Sequence, residues 1–226
     1  MRIMCVSGWG QAHDALANLY PDATHVDYAH LDPQEALALI SEQGRAHECW
    51  VGWSLGAQLL TRVIAAHEAT PQSLVMLAPP FQFVENTTLP LGMKRDQYQK
   101  FHDNYKANPK RTLSKAWELV VKADAKEQPV RAQLPHARQE EVLAKDWLSW
   151  LVQLEQFSCA SLSFDHFPPS LLIHGSDDAV VNVAQSAQFA RHLPRATVKH
   201  LSGCGHAPHW HDPAQVKSLI DEHCHV

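Results

Sequence analysis

No stretch of this 226-residue chain approaches the roughly 18 consecutive apolar residues that a membrane-spanning helix needs. The opening run, Met1 to Val6, is too short for a signal peptide and is soon interrupted by Gly8 and Gly10, so it predicts a buried strand instead. Cysteine is sparse and unpaired in pattern. The five residues Cys5, Cys49, Cys159, Cys204 and Cys224 are odd in number, scattered, and contain no CxxC. That argues against a disulfide framework and against a zinc ribbon, and it predicts a reducing, cytoplasmic setting. Repeats, low-complexity tracts and long flexible linkers are also missing. The length suits one domain, with room for an insertion. No cofactor, metal, nucleic acid or membrane partner is implied, and a monomer is expected.

What is present is an alternation of short apolar runs and helical patterns. Runs at 2–6, 24–28, 48–51 and 73–78 read as strands, and those at 170–174 and 197–201 resume the series. Helices are expected at 13–19, from the Asp32-Pro33 start, at 57–67, at 183–192 and at 213–223. Such alternation predicts a mostly parallel sheet covered by helices on both faces, an α/β fold. From 81 to 157 no strand is evident. Helical stretches at 95–105, 112–123 and 139–156 fill it, with Pro90, Pro109, Pro129 and Pro135 as separators. We read 1–80 and 158–226 as a core and 81–157 as a helical cap over the carboxyl edge of the sheet, where open α/β sheets bind ligands.

One stretch organises the rest: Gly52-Trp53-Ser54-Leu55-Gly56, a G-x-S-x-G between a strand and a helix. In that context a sharp turn exposes the Ser54 hydroxyl, and the helix start turns N–H groups toward developing negative charge. The pattern alone is common. Three further features fall where it needs them. Gly175-Ser176-Asp177-Asp178 follows a strand, Gly203-Cys204-Gly205-His206 follows the last strand, and Gly8-Trp9-Gly10 follows the first. A serine hydroxyl is a poor nucleophile at neutral pH, so His206 must take its proton and a carboxylate must orient the imidazole. Asp177 and Asp178 both lie within reach of that role, and alternation in extended chain turns them to opposite sides. Backbone N–H groups of Leu55 and Trp9 could receive the oxyanion. Losing one such donor costs roughly 3–4 kcal/mol of transition-state stabilisation. His206, His209 and His211 are also spaced like metal ligands, but no acid or cysteine pattern completes a site.

The formal charge of −5 is uneven. The window 94–126 holds nine basic and four acidic residues, a net of +5, which leaves −10 for the remainder. It is either a solvated helical face or a docking surface for an acidic partner.

On these motifs the chain resembles the α/β-hydrolase superfamily. More narrowly, it is similar to the pimeloyl-[acyl-carrier protein] methyl ester esterases of biotin synthesis. The likeness rests on Gly8-Trp9-Gly10, Trp50 to Gly56, Gly175-x-x-Asp178-x-x-Val181, and His206-Ala207-Pro208 with Asp212-Pro213. It implies Ser54, Asp178 and His206 as nucleophile, acid and base, and favours Asp178 over Asp177. It implies oxyanion and substrate contacts at Trp9 and Leu55, and an acyl-site contact at Phe101. The reaction implied is hydrolysis of a methyl ester on an acidic acyl-carrier protein, gripped by Lys94, Arg95, Lys106, Lys110 and Arg111. The chain departs from the family pattern at Ser7, where a histidine is usual, in lacking the customary N-terminal hairpin, and in a short segment from Gln11 to Glu48. A general carboxylesterase or thioesterase, a carbon–carbon bond hydrolase and a non-catalytic binding relative are the alternatives. Labelling by a serine-reactive fluorophosphonate separates the last from the others.

Overall fold

The structure, a computed structural model, describes residues 1–87 and 89–224. Six strands form one parallel sheet: β1 (Ile3–Val6), β2 (Thr24–His25), β3 (Cys49–Trp53), β4 (Ser73–Leu77), β5 (Ser170–Gly175) and β6 (Ala196–Leu201). Their order across the sheet is β2-β1-β3-β4-β5-β6. The chain moves outward from β1 to β2, then crosses back to lay β3 on the other side of β1. The direction of winding therefore reverses between β1 and β3, and a crevice opens at their carboxyl ends.

Every residue of β3 and β5 is buried, as unbroken apolar runs in a two-sided sheet require. β6 lies at an edge and is more exposed, with Thr197, Lys199 and His200 open to solvent. Expected and observed strands agree closely except at the second. Only Thr24 and His25 pair with β1, followed by one bond from Val26 N–H to the Cys5 carbonyl at 3.0 Å. β1 stops at Val6, so residues further along have no strand to lie against.

Helices α1 (Pro33–Gly44) and α2 (Leu55–Ala65) pack on one another. α1 starts as its sequence dictates, with Pro33 in the first turn and the Asp32 carboxylate accepting from the N–H groups of Gln34 and Glu35. The helix expected at 13–19 is instead a series of turns, closed by bonds such as Ala17 N–H to Asp14 carbonyl at 2.9 Å and Leu19 N–H to Leu16 carbonyl at 3.0 Å. Docking displaces the helix. The Ala15 carbonyl accepts the Trp210 indole N–H instead of serving a helical ladder, and Asn18 donates to the His209 carbonyl.

Between β4 and β5 lie α3 (Arg95–Ala107), α4 (Pro109–Val121), α5 (Glu127–Arg131), α6 (Gln139–Leu143) and α7 (Trp147–Gln156). Among the described residues no strand interrupts them. Two prolines read as separators sit inside helices. Pro109 opens α4 behind an Asn108 cap, and Pro129 lies in the first turn of α5, where a missing N–H costs nothing. The single helix expected at 139–156 is two. Asp146 caps α7 through the Ser149 N–H, and Lys145 turns aside to bind Asp27 at 2.8 Å. After β5 come α8 (Ala184–Ala190), the short α9 (Pro208–His211) and α10 (Pro213–Cys224), which packs on β4 and β5. No helix among the described residues is long and apolar enough to cross a membrane.

Candidate active site

The site is assembled at the crevice. β3 delivers Ser54 at φ 54°, ψ −117°, a conformation that is costly for any residue but glycine, by about 1–3 kcal/mol. Two bonds hold the turn: Ser54 N–H to the Leu77 carbonyl at 2.9 Å, and Gln58 N–H to the Ser54 carbonyl at 3.2 Å. The flanking glycines are sterically compelled. A Cβ on Gly52 would lie 2.5 Å from the Ala57 Cα, and one on Gly56 would fall inside the Val6 carbonyl. Gly56→Ala is therefore expected to lower stability by about 3 kcal/mol, read from urea unfolding, because β1 and α2 must separate.

His206 lies in the loop after β6. Its Nε2 is 3.0 Å from Ser54 Oγ, and its Nδ1 is 2.7 Å from Asp178 Oδ2. Asp178 follows β5 with a side chain 0% exposed. Its Oδ1 accepts the N–H groups of Val180 at 2.8 Å and Val181 at 2.9 Å. Burial alone would raise its pKa, but the imidazoles of His206 and His174 hold the carboxyl well below the usual carboxylate range. Asp177, by contrast, is exposed and accepts from Ser176 Oγ. The structure thus brings together Ser54, His206 and Asp178 and leaves Asp177 outside.

His174 is a partner that sequence reading did not single out. It is fully buried, with Nε2 3.1 Å from both Asp178 Oδ2 and the Val181 carbonyl. Its signal was its place four residues before the acid, diluted among 16 histidines.

Leu55 opens α2, so its N–H has no acceptor within the helix. Trp9 follows Gly8 directly above Ser54, and a Cβ on Gly8 would lie 3.3 Å from the Ser54 Cβ. The Trp9 indole donates to the Trp147 carbonyl at 2.7 Å and meets Phe101 and Tyr105 edge-on at 5.5 and 5.4 Å. These contacts bind the loop after β1 to the helices above it. A cavity open to solvent on one side lies between them. Trp9, Ser54 and His206 line it from below, with Phe101 of α3, Leu119 of α4 and Leu151 of α7 from above.

The base loop is also fastened from above. Asp124, just past α4, accepts the Gly205 N–H on Oδ2 at 2.8 Å and the Lys126 N–H and His211 Nδ1 on Oδ1, each at 2.7 Å. Ala125 N–H reaches the Gly203 carbonyl at 2.7 Å, and His206 N–H reaches the Val120 carbonyl at 3.2 Å. Among the described residues His206, His209 and His211 do not converge on one ligand set. The group that gathers is Asp124, Cys204 and His211. Its carboxylate is already spent on hydrogen bonds, and burial pushes the Cys204 thiol up, away from the thiolate a metal would need.

His209 is 0% exposed, packs against Trp53 at 4.5 Å, and has no partner for either ring nitrogen. Burial pushes its pKa down to about 3. The folded state then binds fewer protons than the unfolded state between that value and about 6.5, so stability falls as pH drops through this window. We expect unfolding free energy to fall by about 2 kcal/mol from this residue between pH 7.5 and pH 5. In His209→Phe that part of the pH dependence, followed by urea titration at both pH values, should vanish.

Of the five basic candidates, three face acids drawn from outside their window. Lys94 binds Glu85 at 2.6 Å, Arg95 binds Glu155 at 3.0 Å, and Lys110 approaches Glu140 at 3.4 Å. Lys106 and Arg111 are exposed and have no ion pair among the described residues.

Comparison with known proteins accords with this geometry. A pimeloyl-[acyl-carrier protein] methyl ester esterase from Nitrosomonas europaea is 29% identical over 180 residues, covering 79% of this chain and 71% of that protein. A biotin biosynthesis bifunctional protein from Cellvibrio japonicus is 24% identical over 186 residues; the match covers 82% of this chain but only 37% of that longer protein. Among solved structures, an esterase from Exiguobacterium antarcticum superposes with a TM-score of 0.84 at 13% identity, covering 100% of this chain and 92% of its own. A bromoperoxidase from Bacillus anthracis gives the same score and coverage, so these likenesses speak for the fold alone. The model of the alpha/beta hydrolase family matches residues 5–219, and the chain belongs to that family.

Proposed function

We propose that this protein is a serine carboxylic ester hydrolase, and that its substrate is the methyl ester of a pimeloyl chain held on an acyl-carrier protein. The observation that carries the reading is the unbroken line Ser54–His206–Asp178 at the floor of an apolar cavity. In the reaction Ser54 Oγ attacks the ester carbonyl while His206 Nε2 takes its proton. Asp178 fixes the imidazole tautomer and stabilises the imidazolium. The N–H groups of Leu55 and Trp9 receive the oxyanion. His206 then protonates the leaving methanol, and water, activated by the same imidazole, releases the acid and restores Ser54. Residues 1–80 and 158–226 form the catalytic core, with 81–157 as the cap whose apolar side chains hold the acyl chain.

The relatives named as methyl ester esterases support the substrate. Purified protein should turn over methyl pimeloyl-carrier protein with a higher kcat/KM than p-nitrophenyl esters of any chain length. A flat preference across the panel would leave a general carboxylesterase.

For the carrier we favour the cations that have no ion pair among the described residues. Arg111, Lys115 and Lys122 recur at helical spacing along and just past α4, with Lys106 at the end of α3. Reversing Arg111 and Lys115 to glutamate should lower the ratio of carrier-linked to small-ester kcat/KM about tenfold at low salt, with the effect shrinking as salt is added. An unchanged ratio would remove the carrier from this face.

A further inference from the structure

The cavity wall holds one polar side chain that the reaction does not use. Gln11 is 4% exposed and lines the cavity with Ser54 and His206, and its Oε1 is buried with no hydrogen-bond partner. Every other polar side chain there is committed. Ser54 Oγ and His206 bond each other, the Trp9 indole serves Trp147, and the Trp53 indole serves the His206 carbonyl at 2.8 Å. The remaining lining is apolar, from Phe83, Met93, Phe101 and Leu119 to Leu151 and Leu154.

Gln11 does not arrive there by looseness. The Gly10 carbonyl before it accepts the Trp117 indole at 2.8 Å, and Gly10 itself takes φ 67°, packed against Leu113. The backbone just before Gln11 is thus pinned from α4. A leucine would fill similar space with no polar cost, whereas a buried acceptor without a donor is penalised and calls for an explanation. In apolar pockets a few placed polar groups fix orientation and choose among ligands.

We propose that Gln11 is a specificity-determining residue: its Oε1 accepts a hydrogen bond from a hydroxyl or amide N–H carried by the substrate beyond the scissile ester. The inference rests on the esterase reading above and narrows its substrate class. The preferred ester has a donor group along its chain or on the arm that carries it, and a plain alkanoate leaves Gln11 unsatisfied. A site built around such a bond rejects the analogue that lacks it.

The experiment compares kcat/KM within two length-matched pairs: methyl 6-hydroxyhexanoate with methyl heptanoate, and methyl 6-acetamidohexanoate with methyl nonanoate. Each is run with the wild type, Gln11→Leu and Gln11→Met, and thermal unfolding checks both variants. The wild type should favour at least one donor-bearing ester over its length-matched alkanoate by about tenfold, and both variants should erase or invert that preference. The hydroxyl arm marks an acyl-chain donor and the acetamide arm marks an amide of the carrying arm. If ester hydrolysis proceeds and the ratios are the same in all three proteins, Gln11 is not the selector and this assignment falls alone. If no ester is cleaved and Ser54 takes no fluorophosphonate label, the esterase reading falls and takes this assignment with it.

Discussion

Ser54→Ala should lower kcat for ester hydrolysis by about a millionfold, with the fold intact, because every bond-making step in the proposed cycle passes through its oxygen. Alanine can occupy the same backbone turn, whose φ of 54° is imposed by the packing of β3 and α2 and not by the hydroxyl. Ser54 Oγ makes no helix-capping bond, so its removal leaves no buried N–H orphaned by that loss. Steady-state hydrolysis and fluorophosphonate labelling read the effect together. Residual turnover above about a thousandth of wild type would mean that another nucleophile acts, since binding and the oxyanion donors alone supply only the background left when such a triad is broken.

Asp178→Asn is expected to reduce kcat about ten-thousandfold, whereas Asp177→Asn should change it less than about twofold. An asparagine can still accept from Val180 and Val181, so the loop survives. What changes is the face toward His206, where an amide N–H can replace an acceptor and turn the imidazole to the wrong tautomer. Comparable losses in the two variants would overturn the choice of acid. The same carboxylate adds an acid limit to stability. Its folded-state pKa is depressed, so its contribution is complete above the unfolded value of about 3.9 and drains away as pH falls below it.

Much of this was legible in the residue string, and the reason is local. β3, β4 and β5 are covered on both faces, so each had to be a continuous apolar run bounded by polar or turn residues. Ser54, Asp178 and His206 each sit one short turn beyond a strand, and the topology carries such turns to one edge. Contacts made from outside a sequence window were hidden. Glu85, Glu140 and Glu155 lie outside the basic window and reach it only after folding, so a charge count overstated the free cation on that surface. The turns at 13–19 spell an amphipathic helix until Trp210, nearly two hundred residues later, takes the Ala15 carbonyl. α5 and α9 are too short to display a period. Gln11 belongs to no motif, and only the folded surroundings reveal a buried acceptor.

The bonds from Asp124 and Val120 to Gly205 and His206 limit how this enzyme can breathe. A rigid swing of α4 away from the sheet would haul the imidazole off its serine. Entrance and competence are therefore geared together at that corner: whatever widens the doorway there idles the machinery. Between Trp9 and α3 itself the Phe101 and Tyr105 contacts are aromatic edges, which can slide without a hydrogen bond breaking.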